Sequence, residues 1–219
     1  MPSARHVPTS RRALLRGGAA LATGAATLTA SAAQAAPGSA RPPAFAAPRA
    51  GGPVRPRSAD YPLAEWAPAD PSNYTVATRP SSHPVHFVVI HVAQETYEDT
   101  LRIFARASSD VSAHYVVGSA DGRVGQCVRE RDIGWHAGNW NYNTRSVGIE
   151  HEGWVDQPAW FTEALYRSSA RLTAHLCDRY AIPRTRTWII GHNEVPGATH
   201  TDPGPLWDWE RYMAYVNAM

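Results

Sequence analysis

Two histidines stand where strands of the predicted sheet end, and their side chains could bind a metal ion. His91 lies at the end of the buried run VHFVVIHV, and His192 follows the run TWII and one glycine. In α/β proteins, sites form at strand ends and in the loops that follow them. Imidazole is a favoured ligand of zinc, and a catalytic zinc ion has three protein ligands and one open position for water. The two histidines therefore predict two ligands of a catalytic zinc ion.

The third ligand is expected from the loop GHNEVPGATHTDPGP, which runs from Gly191 to Pro205. This stretch contains too much glycine and proline for a helix or a central strand. It offers His200 and Asp202 as candidates. Proline restricts the backbone, so such a loop can hold a ligand at a low cost in conformational entropy. The residue types alone leave the choice between His200 and Asp202 open.

Glu150 is a candidate general base. Alternation along the predicted strand RSVGIEHEG places Glu150 on the same face as Gly148 and Glu152. Burying a carboxylate in mid-strand costs free energy unless the group has a partner or a task. A glutamate next to zinc-bound water can take a proton from it and pass the proton to a leaving amine. The alternative is that this face of the strand is solvated and Glu150 has no catalytic role.

Four residues of the segment GWHAGNWNYN are candidates for substrate binding. Aromatic faces and amide hydrogen bonds commonly hold sugars and peptides, and the candidates are Trp135, His136, Asn139 and Trp140. For the two tryptophans, packing in the core or on the surface is an equally good explanation. His114 and His175 lie in patterns that packing explains, and we expect them to be structural.

The elements that must position these residues form an alternating pattern of strands and helices. Strands are predicted at 85–92, 112–118, 123–128, 145–153 and 187–190, and helices at 97–107, 162–180 and 206–219. The strands at 112–118 and 123–128 flank an Asp-Gly turn, which is typical of a β-hairpin. A hairpin among crossover connections predicts an α/β fold with a mixed central β-sheet flanked by helices.

The N-terminal region differs from the rest in composition. Residues 1–59 contain eight arginines and no acid, and the stretch SRRALL is a twin-arginine pattern. A weakly apolar run and the small-residue sequence AQAAP follow, which predicts an export signal at residues 1–36. Arg16 and several glycines within this run argue against a permanent membrane-spanning helix, so we expect no stable membrane insertion. The Pro-, Ala- and Arg-rich residues 37–60 predict a disordered linker, and residues 61–219 predict one domain.

Charge and cysteine content restrict the function classes. From Asp60 onward the chain has 13 arginines against 19 acids and no lysine. This mild acidity gives no basic footprint for nucleic acid. Cys127 and Cys177 form no C-x-x-C motif, which excludes zinc ribbons and thioredoxin-like redox centres. They could form one disulfide or remain two buried thiols.

Together, the stretches VIHV, SAHYVV, WHAG, RSVGIEHEG and GHNEVPGATHTDPGP resemble the zinc-dependent N-acetylmuramoyl-L-alanine amidases. This family shares its fold with peptidoglycan recognition proteins and amidase-type phage lysozymes. The resemblance runs from about Tyr61 to the C-terminus, with the motifs in the same order. It implies a peptidoglycan-recognition-protein/amidase-like fold.

The resemblance also implies roles for five residues. His91, His192 and Asp202 would bind zinc, and Glu150 would be the catalytic glutamate. The family often has a lysine two residues before the last ligand; His200 occupies that position here. His200 is therefore expected to take over the role of that lysine and stabilise the oxyanion.

The implied function is a secreted, zinc-dependent hydrolase of peptidoglycan. It would cut the amide between the lactyl group of N-acetylmuramic acid and L-alanine of the stem peptide, using zinc-bound water with Glu150 as base. We expect a monomer, exported by the twin-arginine route to the cell wall or the extracellular space. Two alternatives stay open. One is a non-catalytic peptidoglycan-recognition module of the same fold, and the other is a zinc amidohydrolase of soluble muropeptides.

Overall fold

The computed structural model describes residues 55–219. The predicted export signal, residues 1–36, lies outside the described residues, as does the predicted linker up to residue 54. The last residues of that linker pack on the domain. Ser58 is buried, and the Asp60 carboxylate accepts a hydrogen bond from Gln126 Nε2 at 2.7 Å. The packed domain therefore already includes Ser58, which corrects the predicted linker boundary at residue 60.

The described residues form eight short strands and four α-helices in an alternating order. The strands are β1 (Glu65–Trp66), β2 (Tyr74–Thr75), β3 (Phe87–Ile90), β4 (Tyr115–Val117), β5 (Val124–Gln126), β6 (Ile133–Gly134), β7 (Ser146–His151) and β8 (Ile189–Gly191). The helices are α1 (Tyr97–Phe104), α2 (Trp140–Arg145), α3 (Glu163–Tyr180) and α4 (Trp209–Asn217). No helix within these residues combines the length and the apolar character that crossing a membrane requires.

Six of the strands form one mixed sheet in the order β1-β5-β4-β7-β3-β8. The predicted hairpin pairs β4 with β5 antiparallel, with Tyr115 opposite Gln126. β4, β7, β3 and β8 run parallel to one another. The prediction of an α/β fold with a mixed central sheet flanked by helices is therefore confirmed. A separate antiparallel pair joins β2 to β6.

The helices cover both faces of this sheet. On one face, α3 and α4 pack on the largest apolar cluster, which includes Val88 and Ile90 of β3. On the other face, α1 packs on β4 through Leu101 and Val116, and α2 lies near Phe87. This arrangement explains why β3 is apolar on both faces: all four of its residues are buried between two layers of helices.

Helix α3 begins and ends on local signals in the sequence. The Thr162 side chain caps it by accepting a hydrogen bond from Leu165 N at 3.1 Å. The helix stops at Tyr180, because Ala181 adopts the left-handed conformation, with φ of 54°. Along α3, Leu165, Ser169, Leu172 and Leu176 are buried, and Tyr180 is only partly buried. Its hydroxyl donates to Glu130 Oε2 at 2.7 Å, so its polar end stays at the edge of the core.

Both cysteines are free, buried thiols. Cys127 lies in the cluster beneath α1 and Cys177 in the cluster beneath α3, on opposite faces of the sheet. Burial raises the pKa of the Cys177 thiol to about 11 and raises the pKa of Cys127 still further. Neither thiol is therefore a nucleophile near neutral pH.

Candidate active site

His91 and His192 meet because the two strands before them are parallel neighbours. Ile90 of β3 lies opposite Gly191 of β8, so the carboxyl ends of both strands reach the same edge of the sheet. The two imidazole rings lie 4.6 Å apart between centroids, and both side chains are buried. The sheet register thus brings together two side chains that are about a hundred residues apart in the sequence.

The loop after β8 returns Asp202 to the two histidines. Asn193 N donates to the Asp202 carbonyl at 2.9 Å, which closes the loop on itself. The Asp202 carboxylate then lies 3.2 Å from His91 Nδ1 through Oδ2 and 3.1 Å from His192 Nδ1 through Oδ1. One ligand atom from each of the three residues lies within 4.8 Å of the other two.

This group fits a divalent metal ion. Both imidazoles direct their Nδ1 atoms at the same carboxylate, and two imidazoles with one carboxylate form a donor set that suits zinc. Burial alone would raise the pKa of Asp202, but the two neighbouring imidazoles, His192 first, outweigh it and hold the pKa below its usual value. Asp202 is therefore an anionic carboxylate, as a metal ligand must be.

Glu150 lies beside this group without belonging to it. Its Oε1 is 4.0 Å from His91 Nδ1, and its side chain is only 13% exposed. Its other oxygen, Oε2, is buried and has no hydrogen-bond partner among residues 55–219. Burial, and then the negative charge of Asp202, raises the pKa of Glu150 well above its ordinary value. The solvated strand face considered from the sequence is thus wrong for Glu150 itself.

Of the five residues to which the resemblance assigns roles, His200 alone faces solvent. Its side chain is 66% exposed, and its Nδ1 lies 3.9 Å from Asp202 Oδ1. Its ring stacks on His192, with 4.7 Å between centroids and 16° between planes. Of the two candidates for the third ligand, the structure brings Asp202 into the convergent group and leaves His200 at its mouth.

A groove of about 640 Å³ opens over these side chains. Glu150, His192, His200 and Asp202 are among the residues that line it, as are Trp135 and His136. The apolar part of its wall comes from α1 and the loop after it, through Ile103, Phe104 and Val111. The sequence analysis missed this wall. No local pattern in the sequence marks this wall, because Ile103 also packs against the apolar cluster beneath α1.

The four predicted substrate-binding residues occupy different environments. Trp135 lines the groove and donates from Nε1 to Thr75 Oγ1 at 3.0 Å. Asn139 is the N-cap of α2, and its Nδ2 donates to the Pro196 carbonyl at 2.9 Å, so it ties α2 to the loop after β8. Trp140 is 56% exposed and is not part of the groove lining.

His136 is buried and also belongs to the lining of the groove. Its Nδ1 lies 3.0 Å from His91 Nε2. Its ring rests on Gly148 of β7, where a Cβ atom would come within 2.5 Å of His136 Cγ. A glycine in mid-strand often marks such a close approach, and this was the available signal in the sequence.

The sequence of this chain matches those of known amidases. A profile of the N-acetylmuramoyl-L-alanine amidase family matches residues 81–205. The chain is 32% identical over 177 residues to N-acetylmuramoyl-L-alanine amidase A of Achromobacter lyticus, covering 73% of this chain and 97% of that protein. It is 39% identical over 113 residues to 1,6-anhydro-N-acetylmuramyl-L-alanine amidase AmpD of Haemophilus influenzae, covering 48% of this chain and 59% of that protein.

The fold agrees with these matches. A crystal structure of an AmpD derivative superposes with a TM-score of 0.61 at 27% identity, covering 73% of this chain and 98% of that one. The E. coli amidase AmiD, in complex with anhydro-N-acetylmuramic acid-L-Ala-D-γ-Glu-L-Lys, has the same fold. It superposes with a TM-score of 0.51 at 24% identity, covering 60% of this chain and 57% of that one. The family profile spans more than half of the chain, and the chain belongs to the N-acetylmuramoyl-L-alanine amidase family.

Proposed function

We propose that this chain is a secreted zinc amidase that hydrolyses the bond between the lactyl group of N-acetylmuramic acid and L-alanine of the stem peptide. The observation that carries the proposal is the convergence of His91 Nδ1, His192 Nδ1 and the Asp202 carboxylate beside a buried Glu150. The names of its relatives in Achromobacter lyticus and Haemophilus influenzae support the same amide as the bond that is cut.

His91, His192 and Asp202 would hold the zinc ion. Zinc held there would supply Lewis acidity, which polarises an amide carbonyl and lowers the pKa of water. The three side chains are buried, so they need little rearrangement to bind the ion.

Glu150 would move the proton. Its raised pKa, which burial causes, brings it closer to the working range of a group that both accepts and donates protons near neutral pH. Glu150 accepts a proton from the attacking water and donates it to the nitrogen of L-alanine, which leaves as an amine. His200 stands at the mouth of the group, where a ring N–H can donate to the substrate carbonyl oxygen as negative charge develops on it.

The groove would bind the remainder of the substrate. Its apolar residues Ile103, Phe104 and Val111 offer contact area to the stem peptide, and Trp135 offers an aromatic edge. Both intact peptidoglycan and a soluble muropeptide could occupy such a groove. One relative carries the name of a 1,6-anhydro-muramyl amidase. An amidohydrolase of soluble muropeptides is therefore the second candidate. A non-catalytic recognition module is disfavoured, since the positions of all three ligands and of the glutamate are filled.

Mass spectrometry of digestion products tests the proposal. Purified protein is incubated with intact sacculi and, separately, with a soluble muramoyl peptide, each with and without a chelator and with zinc restored. We expect free stem peptides beginning with L-alanine from sacculi, their loss on chelation and their return with zinc. Release from the soluble fragment alone would favour the second candidate, and binding to sacculi without any product would favour the recognition module.

Export has its own test. The twin-arginine pair, Arg11 and Arg12, is changed to two lysines in the full chain, and the protein is followed in the culture medium and the cell wall. We expect the wild-type protein outside the cell and the variant retained inside. Equal export of both proteins would contradict the proposed route.

A further inference from the structure

His91 is held from behind by a chain of buried hydrogen bonds. The nitrogen of His91 that points away from Asp202, Nε2, lies 3.0 Å from His136 Nδ1. His136 Nε2 lies 3.2 Å from Ser146 Oγ, and Ser146 Oγ lies 2.6 Å from the carbonyl of Tyr142. His91, His136 and Ser146 are all buried. Every link in this chain joins two protein groups, so no water molecule is needed to complete it.

The direction of every hydrogen bond in the chain follows from its last member. A peptide carbonyl can only accept, so the Ser146 hydroxyl donates to Tyr142 and its oxygen accepts from His136 Nε2–H. A neutral His136 that donates from Nε2 has its lone pair on Nδ1. That lone pair accepts from His91 Nε2–H, which leaves the lone pair of His91 on Nδ1. Nδ1 is the atom that faces Asp202.

The other histidine of the group has no such support. His192 Nε2 is buried and has no hydrogen-bond partner among the described residues. Strand β7 leaves room for the His136 ring at Gly148. Any other residue at position 148 would place a Cβ atom within 2.5 Å of that ring. The two imidazoles of the group are thus held differently: of their Nε2 atoms, only that of His91 has a hydrogen-bond partner among the described residues.

We propose that His136 is a positioning residue: it fixes the Nε2–H tautomer of His91 and so prepares His91 Nδ1 as a metal ligand. The substrate-binding role expected for His136 from the sequence stays a separate prediction. The inference rests on the proposed function, because it assigns His136 a task toward the zinc ion. Partners of this kind, one step behind a metal ligand, typically change metal affinity by about 10- to 100-fold when they are removed.

Three variants separate the hydrogen bond from simple packing. His136→Leu fills a similar volume and removes the acceptor. His136→Asn retains an amide oxygen near the position of Nδ1, and His136→Gln places its amide near Nε2 and leaves His91 without an acceptor. His175→Leu is the matched control, because His175 is a half-buried histidine on α3 that packs on Tyr61, away from the site.

Zinc affinity is measured by competition with a chromophoric chelator, and the visible spectrum of the cobalt-substituted protein reports the coordination geometry. We expect His136→Leu and His136→Gln to weaken zinc binding by about 10- to 100-fold and to alter the cobalt spectrum. His136→Asn should stay within about threefold of wild type by the same reasoning, and His175→Leu should be unchanged. Melting temperatures of the metal-free proteins confirm that folded species are compared.

Wild-type affinity in His136→Gln would overturn the inference, as would equal weakening in His136→Gln and His136→Asn. Should His136→Leu fail to fold, the comparison of Gln with Asn still decides. A wild-type protein that binds no zinc would refute the proposed function itself. Zinc binding that His136→Gln leaves untouched would refute only the role of His136.

Discussion

Replacing Glu150 by glutamine separates its catalytic role from any structural one. The substitution keeps the shape of the side chain and removes its charge. A positioned general base contributes about 10²- to 10⁴-fold to rate, which corresponds to about 3 to 5 kcal/mol of transition-state stabilisation. We therefore expect Glu150→Gln to lose turnover by this factor. Zinc content should not change, since Glu150 Oε1 lies 4.0 Å from His91 Nδ1 and outside the convergent group.

The stability of the same variant should change in the opposite direction to its activity. Glu150 Oε2 is buried without a partner in the described part of the chain, and burial raises the pKa of the group. Because folding raises this pKa, the folded protein loses free energy of unfolding as pH rises above the unfolded-state pKa of about 4.3, where Glu150 would otherwise ionise. The glutamine variant has no such loss. Metal-free Glu150→Gln should therefore be at least as stable as wild type at pH 8.

Glu152→Gln is the matched control on the same strand face. Its Oε1 accepts from Tyr97 N at 3.1 Å and its Oε2 from Ser119 N at 2.7 Å. Glutamine can replace only one of these acceptors, and a lost hydrogen bond to a charged group costs about 1.5 to 3 kcal/mol. Glu152→Gln should thus lose stability and keep turnover. The assays are product release from a muramoyl peptide and urea denaturation in chelator. Full turnover in Glu150→Gln would refute the catalytic reasoning.

Three further predictions follow from the same geometry. Gly148→Ala should lower the free energy of unfolding by about 1 to 3 kcal/mol through overpacking against His136, as measured by urea denaturation; an unchanged midpoint would contradict the close approach. His200→Ala should retain stoichiometric zinc and lose about 10²-fold in turnover, whereas Asp202→Ala should lose zinc; elemental analysis showing the reverse would exchange their roles. Burial, and then a neighbouring guanidinium, lowers the pKa of His114 well below its ordinary value. Its contribution to stability is therefore complete above the unfolded-state pKa of about 6.5 and is lost as pH falls below it. Metal-free His114→Asn should lose about 1.4 kcal/mol less per pH unit than wild type below that pH, and equal slopes in urea denaturation would contradict this.

The sequence predicted those elements whose residues carry a strong pattern. The buried run before His91 and the capped helix α3 were both identifiable, because apolar runs and caps are local signals. Helix α2 was missed because its six residues contain no apolar periodicity, and its position depends on the Asn139 cap and on contacts with the loop after β8. Strands of two residues, such as β1 and β6, have no pattern to detect.

The parts of the site that follow strand ends or lie in the loop motif could be predicted from the sequence. The parts that depend on how the strands pair could not. His91 and His192 were expected to meet because both follow strands, and the structure places them side by side. His136 was predicted to bind substrate because it lies among aromatic and amide residues, and it does line the groove. Its contact with His91 depends on the pairing of β3 with β7 and on the space above Gly148, which a single sequence does not reveal.

The central claim is that His91, His192 and Asp202 bind one zinc ion. The most direct measurement is a crystal structure of the zinc-loaded protein with anomalous data collected on both sides of the zinc absorption edge. We predict one strong anomalous peak at about 2.0 to 2.1 Å from His91 Nδ1 and His192 Nδ1 and at a similar distance from the Asp202 carboxylate. A peak bound by His200 instead of Asp202, or no peak between these side chains, would contradict the account.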